Sequence, residues 1–175
     1  GVTFSLTECA SIQGYIYCAS SRRAVHTVNN SGTFNLYNGR LRGTTSTADG
    51  AAVYNNGTFN MYGGTISNNG TSARGGGVYN AGVCNLYGGL ITNNGSGHYC
   101  VKNLGTLHVD GTLTADGGNI GVANRVEDSR SGTITVNGTL TSTGDSDGLS
   151  NHGTLTVTGT LTATGKKNGG VYNNG

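Results

Sequence analysis

The chain has 175 residues and a net charge of +2, and only 10% of its residues are charged, against ~25% in an ordinary globular domain. It holds 33 glycines, 25 threonines and 21 asparagines but no proline or tryptophan. No basic run exceeds Arg22-Arg23 and Lys166-Lys167, and no apolar stretch approaches the ~20 residues of a spanning helix, so neither nucleic acid nor a membrane span is expected.

Residues 1–24 carry no clear repeat and are expected to form an N-terminal cap or an irregular first coil. Two of the four cysteines, Cys9 and Cys18, lie in this segment. A disulfide between them would staple a cap, a device that suits a secreted protein. No Cys-x-x-Cys spacing occurs, so a structural zinc site is not expected.

From residue 25 to residue 175 the chain repeats. Glycines 32, 57, 82, 105, 132, 153 and 175 share one place in a common motif, at steps of 25, 25, 23, 27, 21 and 22 residues. Periods of this size signal a solenoid, whose repeats bury their apolar faces only by stacking. Two and four residues after each glycine stand apolar residues, from Phe34 and Leu36 to Leu155 and Val157, with polar residues between them. Such alternation marks a strand with one buried face. Val28, Val53, Val78, Val101, Leu149 and Val171 mark a second inward position. Leu41, Ile66, Ile91, Leu113, Leu140 and Leu161 mark a third.

No segment has a helical period. Each coil therefore has three short strands, and about seven coils at ~4.8 Å make a rod ~35 Å long. Asparagine recurs two residues before the glycine, at 30, 55, 80, 103, 151 and 173, with Arg130 breaking the run. Stacked amides at that place would satisfy the backbone of a buried bend. Glycines after the main strand, at 63–64, 88–89, 111, 138 and 159, are expected to give tight turns of positive φ. Loops of variable length follow the third strand and absorb most of the difference in repeat length.

Two copies read VYNNGTFNMYGGTISNNG and VYNAGVCNLYGGLITNNG. These strings resemble repeats of large surface proteins of gut and oral bacteria, members of the pectate-lyase-like, right-handed parallel β-helix superfamily. The resemblance spans roughly residues 25–175. It implies an all-β, right-handed parallel β-helix with an asparagine ladder at one turn, and an extracellular or cell-surface setting. The chain opens in mid-sequence and stops after VYNNG, where another strand is due. It is expected to continue beyond residue 175, and an open last coil would invite end-to-end or edge association.

Three groups of residues could carry chemistry. Tyr37, Tyr62 and Tyr87 share one offset and should project outward as a column, with Asn35, Asn60 and Asn85 two residues earlier on the same face. Aromatic rings stack on sugar faces and amides take hydroxyls, so this column is the candidate glycan site. Repetition alone also generates such columns, because each strand lies on its own copy. Outward threonines of the later coils form regular rows that resemble an ice-binding surface, or follow from the strand propensity of a branched side chain.

Among the few carboxylates, Asp116, Asp128, Asp145 and Asp147 fall in successive loops beside Arg125, Arg130 and Lys166. They are the weak candidates for a calcium site or a cleavage centre, which needs two carboxylates across the scissile bond. No family catalytic motif, nucleophile triad or nucleotide fingerprint is visible, and no cofactor is expected. The expected role is a non-catalytic surface or secreted segment, adhering to glycan or a host surface protein through the Tyr/Asn column, or serving as a rigid stalk. The alternative is a polysaccharide lyase or hydrolase using the loop carboxylates of the later coils.

Overall fold

A computed structural model describes residues 3–6, 15–17, 26–42, 49–69, 74–94 and 98–175. The chain is an all-β parallel solenoid of about five turns, with no helix among the described residues. No described helix is long and apolar enough to cross a membrane, a finding that bears on helical spans only. Cys9 and Cys18, and with them the expected disulfide, lie outside the described residues.

Each turn contributes a main strand after the register glycine, a third-position strand, and a Val-Tyr-Asn-type strand that leads into the next glycine. Counting partial turns at either end, the main strands stack in one ladder of seven: Thr3–Leu6, Thr33–Leu36, Thr58–Met61, Val83–Thr92, Thr106–Asp116, Thr133–Val136 and Thr154–Val157. A second ladder of seven runs from Val28–Asn30 to Gly169–Asn173. Every pairing in both ladders is parallel, and most set residue on equivalent residue, as in Phe34 on Phe59. The segment before residue 24 contributes two backbone strands, Thr3–Leu6 on Thr33–Leu36 and Tyr15–Tyr17 on Arg40–Arg42, in the same register.

The apolar core follows the alternation. Phe34, Phe59, Met61, Leu86, Val109, Ile134 and Val136 are fully or almost fully buried, and the rings of Phe34 and Phe59 stack at 5.3 Å. Cys84 fills a slot that Phe59 fills one turn earlier; it is a buried free thiol, its pKa driven far up by burial. Cys100 is likewise buried and free, pushed up to about 12 by burial, with its thiol against the Ile91 carbonyl at 3.4 Å.

At the corner between the Val-Tyr-Asn strand and the next glycine runs an unbroken amide chain. Nδ2 of each asparagine donates to Oδ1 of the next: Asn30 to Asn55 at 2.6 Å, Asn55 to Asn80 at 2.7 Å, Asn80 to Asn103 at 2.8 Å. It continues through Asn124, at 2.8 Å from Asn103 and 2.6 Å from Asn151, and ends on Asn173. From Asn30 to Asn124 each amide also reaches a backbone carbonyl of the following turn, such as Asn55 to Val83 at 2.9 Å. Asn124 corrects the sequence expectation that Arg130 interrupts this run. Ile120–Asn124 is a strand, not a loop, and the residues after Asn124 are an inserted hairpin, so the spacing to Gly132 hides the ladder member.

Two further expectations change. Gly111, Gly138 and Gly159 do not take positive φ, which is confined at this bend to Gly39, Gly64 and Gly89. The lone glycines are required by proximity instead: a Cβ at Gly138 would run into the carbonyl of Gly111. The third inward column is also not continuous. Ile91 lies on Ala115 while Leu113 lies on Gly89, because two bend glycines in one turn face one in the next and the register shifts after Leu86.

Candidate functional surfaces

The outward column stands as the alternation places it. Tyr37, Tyr62 and Tyr87 are 44%, 43% and 41% exposed. Their rings are near-parallel, 4.7 Å apart between Tyr37 and Tyr62 and 4.8 Å between Tyr62 and Tyr87. Beside them Asn60 donates to Asn35 at 2.8 Å and Asn85 to Asn60 at 2.8 Å. Desolvation, then the neighbouring phenols of Tyr37 and Tyr87, raises the Tyr62 hydroxyl above its ordinary value.

This geometry refines what the column offers. Offset stacking satisfies ring faces with other rings, so Tyr62 has a neighbour on both faces and presents its edge and hydroxyl to solvent. The Asn60 side chain is spent along the axis, giving to Asn35 and taking from Asn85. The surface is therefore a row of phenol hydroxyls at the strand spacing, backed by a closed amide chain, and a sugar would meet edges and hydroxyls rather than a flat platform.

Three of the candidate carboxylates, Asp116, Asp145 and Asp147, lie on turns stacked at one corner, and Asp128 stands apart on a hairpin. Asp116 ends the strand Thr106–Asp116. Asp145 is exposed and accepts from Lys166 Nζ at 2.8 Å, and this bond holds its carboxyl below the usual range. Asp147 is not in a loop: it opens the strand Asp147–Asn151 and is 9% exposed. Asp128 sits at the tip of the inserted hairpin, beyond the asparagine corner. Among the described residues no three His, Cys, Asp or Glu side chains are grouped to hold a metal ion. The segments that follow Asp116 and Thr143 do meet, through Gly117 N–H to the Thr143 carbonyl at 3.1 Å and Asp145 N–H to the Gly118 carbonyl at 3.0 Å, whereas Asp128 belongs to a separate insertion.

A second surface escaped the sequence reading. The middle residues of the Val-Tyr-Asn strands face outward from the second ladder, where Tyr54, Tyr79 and Lys102 stack in register. The rings of Tyr54 and Tyr79 lie 4.9 Å apart, and His26 stacks on Tyr54 at 4.7 Å. Lys102 lies over the Tyr79 ring, its ammonium 5.2 Å from the centroid. It is only 1% exposed, because the antiparallel hairpin Val126–Glu127 and Arg130–Ser131 folds back over it.

Lys102 Nζ donates to Glu127 Oε2 at 2.7 Å, and Arg74 stands 3.8 Å from the same oxygen. A buried ammonium is tolerable only with such a partner. At the hairpin tip Asp128 and Ser129 take φ of 51° and 64°. A two-residue hairpin turn of this hand needs positive φ at both places, which favours Asn-Gly over Asp-Ser.

Under the hairpin is a cavity of about 340 Å³. Tyr54 and Tyr79 wall it on the sheet side, Glu127, Asp128 and Arg130 on the hairpin side, and Leu104 and Asn56 at the corner. Arg130 anchors one guanidinium nitrogen on the Ala81 carbonyl at 3.3 Å. Nearby, Arg125 donates to the Tyr99 hydroxyl at 3.1 Å with its guanidinium over that ring, while its buried Nε has no hydrogen-bond partner among the described residues. Sequence signals for this surface existed: the tyrosine shared by the successive strings at Val53 and Val78, and the 27-residue step before Gly132.

Fold and surface together define a parallel β-solenoid repeat protein with two outward aromatic columns. Compared with protein-family models, characterised proteins and solved structures, the chain has no match.

Proposed function

We propose that the chain is a non-catalytic segment of a bacterial cell-surface or secreted protein, a right-handed solenoid of about seven coils akin to the pectate-lyase-like superfamily. In this reading it holds glycan, or a host surface glycoprotein, along the Tyr37–Tyr62–Tyr87 column. The observation that carries it is that column itself: three exposed rings and a parallel amide chain in strict register. A rigid rod repeating a weak contact along a polymer gains avidity that no single contact supplies. The seven-strand ladders favour the coil count, and the repeat strings favour the superfamily and the surface setting.

A polysaccharide-cleaving enzyme is the second reading, favoured by one observation: Glu127 and Asp128 border the same cavity. Against it, Glu127 is bound to Lys102, so it is poorly placed to give up a proton as a general acid.

One incubation with soluble polysaccharides and mucin glycans separates the readings, scored for retention on the protein and for new chain ends. Retention without new ends is the expected result. New chain ends would overturn it in favour of the enzyme, and neither signal would leave a spacer.

A further inference from the structure

We infer that the cavity beneath the hairpin binds a single neutral sugar residue. The inference takes its ligand class from the glycan reading above but stands on a different surface. It begins with what the hairpin root has already settled. The charge of Lys102 is met by Glu127 and by the Tyr79 ring, so the root is locked to the sheet and the cavity is open without rearrangement. A pre-formed pocket spares a ligand the cost of ordering its own site.

The remaining groups decide the chemistry. Among the described residues, the Asp128 carboxylate makes no hydrogen bond or ion pair, and nor do the hydroxyls of Tyr54 and Tyr79. Arg130 spends one nitrogen on the Ala81 carbonyl and keeps its other donors. The cavity therefore offers an acceptor-only carboxylate, a donor-only guanidinium, and two phenols that do both. A polyhydroxylated ring matches this mixture, because each of its hydroxyls both donates and accepts.

Charge excludes the other classes. Glu127 is paired with Lys102, and the lining holds one further charge of each sign, Asp128 and Arg130, so it is near neutral in sum. An anion such as phosphate would face Glu127 and Asp128, and a metal cation would face Arg130 with Lys102 behind it. Leu104, 4% exposed, supplies a small apolar contact of the kind a pyranose C–H edge takes. The volume, about 340 Å³, sits at the small end of ligand pockets and suits one ring rather than a chain.

The test is a protein-observed NMR titration of the full chain with D-glucose, D-galactose, D-mannose and N-acetylglucosamine, followed at the Leu104 methyls. Inorganic phosphate, galacturonate and calcium serve as comparison probes. The decisive variant is Asp128→Gly. Glycine suits the positive φ at this position, so the variant should keep the fold and unfold no earlier than the parent.

The expected result is millimolar binding of at least one neutral sugar at Leu104, weakened tenfold or more in Asp128→Gly. Binding that Asp128→Gly leaves unchanged would overturn the inference, as would tighter binding of phosphate, galacturonate or calcium. Sugar-induced shifts confined to Tyr37, Tyr62 and Tyr87 would overturn it while leaving the column reading standing. Loss of polymer retention with monosaccharide binding intact would do the reverse.

Discussion

The early and late turns share a backbone and differ on the outside. In the turns of Gly32, Gly57 and Gly82 the outward places carry Asn35, Asn60 and Asn85, then Tyr37, Tyr62 and Tyr87. In the turns of Gly105, Gly132 and Gly153 the first of these places carries His108, Thr135 and Thr156. The tyrosine column gives way to a polar chain in which Asn137 donates to Asp110 and Thr158 to Asn137, each at 2.8 Å.

The corner after the third-position strand changes too. A buried pair, Asn69 bonded to Asn94 at 3.0 Å, serves the early turns. Ser142, bonded to the Gly148 carbonyl at 2.6 Å, serves a late one. Through all of this the Asn30-to-Asn173 chain and the inward apolar residues persist. The interior and one corner hold the fold, so the outer face is free to vary, as the change from the tyrosine column to Asp110 and Asn137 shows.

The shared corner gives the largest test. A Cβ at Gly82 or at Gly153 would strike the backbone carbonyl of the preceding register glycine. Gly82→Ala and Gly153→Ala should each cost about 3 kcal/mol, the upper range for overpacking, measured by urea denaturation. A large inequality between them would break the claim that early and late turns share one scaffold. Next comes Asn80→Ala, which removes the acceptor of Asn55 Nδ2 and leaves the buried Asn103 Oδ1 without its donor. It should cost about 2 kcal/mol, against less than about 1 kcal/mol for Asn60→Ala on the outer chain, since only the first leaves buried groups unpaired.

Tyr62→Ala should lower stability by about 1 kcal/mol or less yet reduce polysaccharide retention severalfold. Tyr62→Phe sharpens the point. It keeps the ring stack and removes only the hydroxyl, and it should lose most of the same retention if recognition runs through the hydroxyl row. The smallest effect belongs to the late turns. Asp145 is held low chiefly by its hydrogen bond to Lys166. A depressed folded pKa stabilises above the unfolded pKa, and that gain is lost as pH falls through the folded value. Lys166→Ala should therefore raise the Asp145 titration midpoint in NMR while barely moving the melting temperature, because the pair is exposed and screened.

Much of this was legible because solenoid folding is local in the repeat. Phe59, Met61 and Val53 announce their burial by alternation and by recurrence one turn on. Tyr62 follows from the same rule. What the pattern could not carry depends on contacts that no repeat contains. Lys102 reads as an exposed lysine until residues 25 positions later fold over it. Asn124 is hidden because the hairpin pushes it eight residues from Gly132 instead of two. The slip of Ile91 onto Ala115 arises from a bend with two glycines meeting a bend with one. Asp128 stands apart from the stacked segments of Asp116, Asp145 and Asp147 because distance along the chain says little about which corner of the cross-section a loop occupies.

The column of register glycines reaches beyond sterics. From Gly57 onward, most of these glycines lie against the carbonyl of the one before and present their own carbonyl to the one after. A single turn thus carries both halves of its own docking surface. Copying one turn inserts a unit whose two sides already fit its neighbours, whereas removing half a turn leaves two faces that do not match. Whole turns are consequently the quanta in which such a rod can be lengthened or shortened by inheritance, while the outward side chains of each new copy drift without disturbing the joint.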